Sequence, residues 1–346
     1  MSPAINAISA VEQDQATPSG GDDWFVAVHG GGRVGWYGPV PAEVARYAEQ
    51  DLAGPVTGAP VMDHNGLHAA LRGAAGPNTT SVASWAVGAV DCAAWDLRGQ
   101  IAQAPVAQLL APAPVSIVPL YASWLGLDVT IPASLSVVRD VGGGGWQFTK
   151  WALRKKSHGD LGAEATRLVS AALAVAAALA QPAAFDAVFT WDSTLASLIT
   201  EQLDRASLLW LEDPLHDYDA DAYRGLASRA PLALGERLLV HDDAQALLGL
   251  RPRAFTLDVV ACGGLTRAVE LVTRSCALGI PVYPHGRSFI PGLHLAAAFP
   301  HAVPAVEYRL HWEPRRQQLY KQPWLPAEGV IKTPTSPGLS ATPKDR

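Results

Sequence analysis

The chain has 346 residues, of which 49% are hydrophobic and 17% are charged, a composition typical of a folded protein with a large core. A formal charge of −6 and the lack of a basic run argue against nucleic acid as a partner. The three cysteines are widely spaced and odd in number, which favours buried thiols of a reducing compartment over disulfides or a zinc site.

The N-terminus has no basic segment followed by an apolar one, so no secretory signal is predicted. The most apolar helix-like run, residues 168–180, is too short to span a bilayer. We therefore expect a cytoplasmic protein without a membrane partner.

The first third of the chain mixes strands with helices. Residues 24–40 are predicted to form two strands joined by a glycine turn, followed by two short helices. Residues 81–110 carry apolar residues at helical spacing, with Gly99 and Pro105 as predicted breaks. This pattern predicts a separate α+β domain over residues 1–112.

Residues 113–315 alternate short apolar runs with helical stretches, which predicts βαβ units and a parallel sheet. Eight strand candidates in about 195 residues fit a closed (β/α) barrel better than an open doubly wound sheet. No glycine-rich nucleotide-binding motif is present. Residues 316–346 are rich in proline and are predicted to form a strap that returns over the first domain.

Three apolar runs of the second half each end in a carboxylate, namely Asp192, Glu212 and Glu236. Steps of about 20 and 24 residues between them match one strand–helix unit. Active sites of barrels lie at the C-terminal strand ends, so these acids are predicted to share one cation. Oxygen ligands favour Mg²⁺ over zinc. The alternative is that the acids are helix N-caps or surface groups.

A histidine and an aspartate follow the next two predicted strands. His285 lies in "PVYPHG", and Asp258 ends the run "AFTLD" one unit earlier. A carboxylate beside an imidazole fixes its tautomer and raises its basicity, which suits a general base. A hydrogen-bonded core histidine is the alternative.

Two further ionisable residues are predicted at strand ends. Glu307 is interpreted as a protonated acid that hydrogen-bonds a developing oxyanion, with pairing to Arg309 or a neighbouring cation as the alternative. Lys150 could contact a substrate carboxylate or act as a base, because burial depresses the pKa of a lysine. Otherwise it is an exposed lysine of a basic loop.

These strings resemble the enolase superfamily, specifically its mandelate racemase-type subgroup, over nearly the whole chain. "WLEDPL", "LALGE" and "AVEYRL" are similar to its later strands, and Leu257–Gly286 combines Asp, Gly-Gly and His in order. The resemblance implies an α+β capping domain over a modified (β/α)₇β barrel. It also implies that Asp192, Glu212 and Glu236 are the metal ligands, that Asp258 and His285 form a His–Asp dyad, and that Glu307 is the acid of the eighth strand. Members of the family are commonly symmetric homo-oligomers, so one is expected here. Enzymes of this kind pair a Lys or His base with Mg²⁺ that stabilises an enediolate.

The sequence departs from the subgroup at two positions. Its racemases carry Lys-x-Lys on the second strand, whereas Ala152 stands two positions after Lys150 here. Racemisation needs proton transfer on two faces, so a single histidine, His285, favours dehydration. Arg154 after "KW" resembles the family's sugar-acid dehydratases. The asparagine usual two residues after the first ligand is Thr194.

The leading interpretation is a Mg²⁺-dependent dehydratase of a hydroxylated carboxylic acid, an aldonic or aldaric acid. A racemase or epimerase, and a barrel that binds a metal or an acid without turning it over, are the alternatives. His158, Arg287 and Tyr37 are the candidates for contacts with the small acid-sugar substrate, and Tyr37 alternatively packs in the sheet.

Overall fold

A computed structural model describes residues 3–13, 23–156, 159–203, 205–216 and 220–345. Its first part is a three-stranded antiparallel sheet in the order β1-β2-β3, formed by β1 (Ile5–Glu12), β2 (Trp24–Gly30) and β3 (Arg33–Val40). The β2–β3 hairpin turns at Gly31 and Gly32, whose φ angles of 57° and 72° suit a tight turn between antiparallel strands. The glycine turn predicted within residues 24–40 is therefore confirmed.

Helices cover this sheet, and with it they form the capping domain. They are α1 (Ala42–Tyr47), a π-helical turn (Ala48–Leu52), α2 (Ala53–Val56), α3 (His64–Ala75), α4 (Ser81–Ala102) and α5 (Val106–Leu110). Helix α4 is buried on nearly every side, because it lies between the sheet and the second domain.

Two glycines explain how close α4 comes to both neighbours. A Cβ on Gly35 of β3 would lie 2.1 Å from the Ala93 carbonyl of α4. A Cβ on Gly88 of α4 would lie 2.0 Å from the carbonyl of Val260 in the second domain. The helix runs through Gly99, so the predicted break there is wrong. Gly99 is needed instead for close approach, since its Cβ would lie 2.5 Å from the backbone of Gly338.

The second domain is a parallel barrel. Its strands are β4 (Ile117–Trp124), β5 (Thr149–Ala152), β6 (Ala183–Asp186), β7 (Leu208–Glu212), β8 (Leu232–Leu234), β9 (Ala254–Phe255) and β10 (Val306–Arg309). Each pairs in parallel with the next along the chain up to β9, and β10 pairs with β4. A single bridge from Phe255 to Val282 fills the gap between β9 and β10. The antiparallel strand β11 (Val330–Lys332) flanks β4.

Helices alternate with these strands, as the sequence predicts. They are α6 (Ser134–Gly142), α7 (Leu161–Leu179), α8 (Ser193–Gln202), α9 (Ala220–Ala227), α10 (Ala244–Gly249), α11 (Leu265–Ala277), α12 (Phe289–Ala298) and α13 (Glu313–Arg316). Short 3₁₀ turns occur at Arg205–Ser207, Gly286–Ser288 and Gln317–Leu319. Among the described helices, α7 has the length and hydropathy of a membrane span, but it packs beside α6 and α8 in the layer around the barrel.

An aromatic cluster fills the barrel interior below the C-terminal strand ends. Tyr121 stacks on Phe148 with ring centroids 4.5 Å apart. Trp210 meets Phe148 edge-on at 4.9 Å and lies at a tilt to Tyr283 at 5.0 Å. Such a filled interior is the rule for barrels of this kind. It forms an aromatic layer under the polar groups described next.

The C-terminal segment crosses back to the capping domain. The Tyr320 hydroxyl donates to the Gly38 carbonyl at 2.5 Å, and the Leu339 backbone N–H donates to Asp96 Oδ1 of α4 at 2.6 Å. The other oxygen of Asp96 accepts the Trp36 N–H of β3 at 2.8 Å. Helix α4 therefore ties the sheet of the capping domain to the end of the chain.

Candidate active site

Three carboxylates meet at the C-terminal mouth of the barrel. Asp186 and Glu212 are the last residues of β6 and β7, and they stand opposite each other in the register of that pair. Glu236 follows β8 by two residues. One oxygen of each of the three lies within 4.8 Å of the others. Neighbouring parallel strands end at the same edge, which brings these side chains together.

Asp192 is not part of this cluster, so the prediction of Asp192 as the first metal ligand is wrong. Its Oδ1 accepts the Leu195 N–H at 2.9 Å and caps α8, and its Oδ2 lies 2.7 Å from Lys155 Nζ. Strand β6 ends six residues earlier than the apolar pattern predicts. The residues between, 187–191, form a largely buried turn in which Val188 adopts a left-handed φ of 52°. Burial of this turn produces the apolar run that resembles a longer strand.

Asp213 is a fourth acid, which no sequence pattern marked. It is 1% exposed, has a φ of 36°, and its Oδ2 has no hydrogen-bond partner among the described residues. Burial first, and then the negative charge of Glu236, Glu212 and Asp186, raises the pKa of Asp213 well above its ordinary value. A bound cation would satisfy this buried oxygen, which has no donor among the described residues.

Lys150 of β5 lies at the centre of these acids and is completely buried. Its Nζ lies 2.9 Å from Glu212 Oε1, 3.1 Å from Glu307 Oε1 and 3.4 Å from Asp186 Oδ2. Burial alone would lower the pKa of Lys150, but Glu212 and Glu307 hold it well above its ordinary value. The predicted depressed pKa is therefore wrong, as is the alternative of an exposed loop lysine.

The balance of charge at the mouth fits a divalent cation. Asp186, Glu212 and Glu307 lie within 3.4 Å of the Lys150 ammonium group, and the carboxyl groups of Asp213 and Glu236 lie beside these acids. Burial, together with the neighbouring acids, raises the pKa values of Asp186 and Glu212, although Lys150 opposes the shift. A hard divalent ion held by carboxylate oxygens would relieve this repulsion.

His285 and Asp258 form a buried pair opposite the cluster. His285 Nδ1 lies 3.4 Å from Asp258 Oδ2, and its Nε2 lies 3.5 Å from Glu236 Oε1. Burial alone would lower the pKa of His285, but Glu236, Glu307 and Asp258 together raise it. Nε2 thus faces the carboxylates while Nδ1 faces Asp258, which is the orientation a general base needs.

Asp258 is itself fixed in place. Its Oδ1 accepts the Ser288 hydroxyl at 2.5 Å and the N–H groups of Val260 and Ala261, each at 3.0 Å. Burial alone would raise the pKa of Asp258, but the hydrogen bonds from His285 and Ser288 lower it below its ordinary value. Ser288 is a positioning residue that no sequence pattern marked.

Glu307 of β10 adopts the ion-paired alternative. Its Oε2 accepts the Gly286 N–H at 2.7 Å and lies 3.8 Å from His285 Nε2, while Oε1 pairs with Lys150. Burial alone would raise the pKa of Glu307, but Lys150 and His285 lower it. The interpretation of Glu307 as a protonated acid is therefore not supported, because the ionised form is the one stabilised here.

Comparison with known families agrees with this architecture. The model of the family described as "Enolase C-terminal domain-like" matches residues 143–346, more than half of the chain. The model of the mandelate racemase / muconate lactonizing enzyme N-terminal domain matches residues 26–111. The chain belongs to the enolase superfamily. The predicted fold, a barrel under an α+β cap, is thereby confirmed.

The proteins similar in sequence to this chain include dehydratases. The chain is 27% identical over 229 residues to the L-talarate/galactarate dehydratase of Salmonella typhimurium, a match that covers 64% of this chain and 55% of that enzyme. It is 25% identical over 268 residues to the D-galactonate dehydratase of Klebsiella pneumoniae, covering 73% and 68%. The chain thus spans only about half the length of the first of these relatives.

A solved structure shares the whole fold. The mandelate racemase/muconate lactonizing protein of Paracoccus denitrificans, complexed with magnesium, superposes with a TM-score of 0.81 at 24% sequence identity. The match covers 99% of this chain and 96% of that one. It establishes the arrangement of the barrel and the capping domain.

Within this enolase-superfamily fold, a cavity of about 420 Å³ opens above the acids, and His285, Glu236 and Arg287 are among its lining residues. Tyr37 is 3% exposed, belongs to the core of the capping domain and does not line the cavity. The structure therefore favours the alternative that Tyr37 packs in the sheet. His158 lies outside the described residues.

The structure shows where the two positions lie at which the sequence departs from the superfamily pattern, Ala152 and Thr194. Ala152 ends β5 and is 8% exposed, so no second base stands beside Lys150 on that strand. Thr194 lies in the first turn of α8, away from the acids. Counting from Asp186, the position two residues on is Val188, which lines the cavity and donates its N–H to Asp186 at 2.7 Å.

Proposed function

We propose that this protein is a Mg²⁺-dependent dehydratase of a hydroxylated sugar carboxylic acid. The observation that carries the proposal is the imidazole of His285, oriented by Asp258, with Nε2 directed at a cluster of metal-type carboxylates. The similarity to named galactarate and galactonate dehydratases supports the same reaction class.

Asp186, Glu212 and Glu236 are the residues that would hold the ion. Their oxygens are close enough to share it, and the unpartnered oxygen of Asp213 and the excess of acid over base at the mouth fit it. When bound, Mg²⁺ supplies a Lewis acid for the substrate carboxylate. The similar Paracoccus protein was crystallised as a complex with magnesium, which supports this choice of metal.

The residues of the chain perform the proton transfers. His285 Nε2 takes the proton from the carbon α to the carboxylate, while Asp258 stabilises the imidazolium that forms. The same Nε2 then gives the proton to the hydroxyl that leaves the β carbon, so water departs and the enol product becomes a 2-keto acid. Lys150 adds a fixed positive charge beneath the substrate carboxylate.

Racemisation is less consistent with the geometry. It needs a second base, and β5, the strand that carries this base in the subgroup's racemases, has Ala152 at that position and the ion-paired Lys150 two residues before it. Dehydration needs only one residue that first accepts a proton and then donates it, and His285 can do both.

A substrate screen tests the proposal. The protein is incubated with mono- and dicarboxylic sugar acids and Mg²⁺, and 2-keto products are trapped with semicarbazide. We expect at least one acid to react, and His285→Asn to lower kcat by about 10²- to 10⁴-fold. Turnover of His285→Asn within a few-fold of wild type would exclude His285 as the base, and no product from any acid would favour the non-catalytic alternative.

A further inference from the structure

Four arginines line the cavity above His285. They come from four segments of the chain: Arg154 follows β5, Arg287 follows His285 by two residues, Arg309 ends β10, and Arg316 ends α13. Among the lining residues, Glu236 is the one carboxylate. The whole chain carries a formal charge of −6, so this positive wall is a local feature of the cavity.

Arg309 is the arginine of this wall that lies on a barrel strand, next to the loop of the candidate base. It follows Glu307 by two residues on β10, so both side chains leave the same face of the strand. Its stem packs on Gly286, where an added Cβ would lie 2.7 Å from Arg309 Cγ. Its Nε is buried with no hydrogen-bond partner among the residues that the structure describes. Burial, and then the like charge of Arg316, lowers the pKa of Arg309.

The two neighbouring guanidinium groups are held in position. Arg316 donates from Nη1 to the Arg287 carbonyl at 2.8 Å and from Nη2 to the Pro39 carbonyl at 3.2 Å. Arg287 lies over the ring of Trp85, with Cζ 4.2 Å from the centroid. Glu313, 3.9 Å from Arg316, offsets one of these charges. Both guanidinium groups are therefore fixed beside the cavity.

We infer that this wall binds a second carboxylate, so that the substrate is a dicarboxylic sugar acid. The inference rests on the proposed function, which uses the first carboxylate at the acid cluster. A single carboxylate there leaves the buried Nε of Arg309 without an acceptor among the described residues, whereas guanidinium groups recognise planar carboxylates through two parallel hydrogen bonds. A cavity of about 420 Å³ has room for a small diacid.

Matched substrate pairs test the inference. With Mg²⁺ present, kcat/KM is compared for D-glucarate against D-gluconate and for galactarate against D-galactonate. We expect at least one diacid to exceed its monoacid by about 10- to 100-fold, the value of a charge-assisted pair. Arg309→Gln should remove this preference by raising KM for the diacid, and Arg309→Lys should keep part of it. Arg315→Gln, one residue from Arg316 and outside the cavity lining, should keep all of it.

Binding provides a readout independent of turnover. In the His285→Asn background, calorimetric Kd values for the same pairs should show the diacid preference, and adding Arg309→Gln should abolish it. Equal affinity for a diacid and its monoacid, or an equal loss of affinity for both acids in the Arg309→Gln variant, would overturn the second-carboxylate assignment. Arg309-dependent diacid binding without any 2-keto product would instead retain the inference and refute the proposed dehydration.

Discussion

Asp186 and Asp192 are both aspartates near the end of β6, and their surroundings differ completely. Asp186 is 1% exposed, lies 3.4 Å from Lys150 and shares the cluster with Glu212 and Glu236. The side chain of Asp192 is 47% exposed and pairs with Lys155. A buried carboxylate without enough countercharge gains much more from a bound cation than an exposed carboxylate that already has a lysine partner.

This contrast gives a matched pair of substitutions. We expect Asp186→Asn to weaken Mg²⁺ binding by about 100-fold or more, because a ligand charge is lost. Asp192→Asn should leave the Mg²⁺ affinity within about two-fold of wild type, since it only weakens a helix cap and a surface pair. Calorimetric titration with MgCl₂ measures both, and the reverse order of effects would show that Asp192 is the ligand after all.

At the scale of elements, α4 is the helix on which the two domains meet. Its Gly88 faces the Val260 carbonyl, and Val260 is one of the residues whose N–H groups bind Asp258. The position of helix α4 therefore affects the position of Asp258, the partner of His285, as well as the packing of the core. Trp95, further along α4, donates to the Thr266 hydroxyl of α11 at 2.9 Å, which adds a polar link across the same contact.

Gly88→Ala should lower the free energy of unfolding by about 1–3 kcal/mol. Alanine ordinarily favours a helix, but a Cβ 2.0 Å from the Val260 carbonyl forces the backbone apart. Gly73→Ala in α3, where the new Cβ would have nothing within 4 Å, should instead raise it by about 0.5–1 kcal/mol. Urea unfolding compares the two. A stabilised Gly88→Ala would mean that the contact between α4 and the barrel is looser than described.

Across the whole molecule, the sequence predicts what depends on local pattern and misses what depends on the tertiary fold. The alternation of strands and helices in residues 113–315 is visible because each buried strand is a short apolar run. The end of β6 cannot be seen in the sequence, because its apolar run continues into a buried turn up to Trp191. The spacing offered a signal, since counting from Asp186 gives steps of 26 and 24 residues to Glu212 and Glu236.

The environment of Lys150 could not be predicted from the sequence. Burial alone predicts a depressed pKa, and only the folded barrel shows three acids within 3.4 Å of its Nζ. The same holds for the arginine wall, whose members are up to 162 residues apart, from Arg154 to Arg316. His285 and Asp258 were predictable as a pair because they end neighbouring strand units in sequence. The cytoplasmic location and the homo-oligomer remain predictions.

His294 connects three parts of the molecule and should make its stability depend on pH. It lies on α12, accepts the Ala107 N–H of α5 at Nδ1 (3.0 Å) and donates from Nε2 to the Leu339 carbonyl at 3.1 Å. Burial lowers the pKa of His294 to about 4, although the hydrogen bond with Leu339 opposes the shift. The neutral imidazole is therefore the form that the fold accommodates.

The sign of the effect follows from which state binds the proton. Between the unfolded pKa of about 6.5 and the folded pKa of about 4, the unfolded chain takes up a proton at His294 that the folded chain excludes. Stability is unaffected above pH 7 and falls as the pH drops, by about 2 kcal/mol between pH 7 and pH 5. His294→Gln should remove this part of the pH dependence in urea unfolding, whereas His301→Gln, an exposed control, should retain it. Parallel pH profiles for wild type and His294→Gln would show that His294 titrates alike in both states.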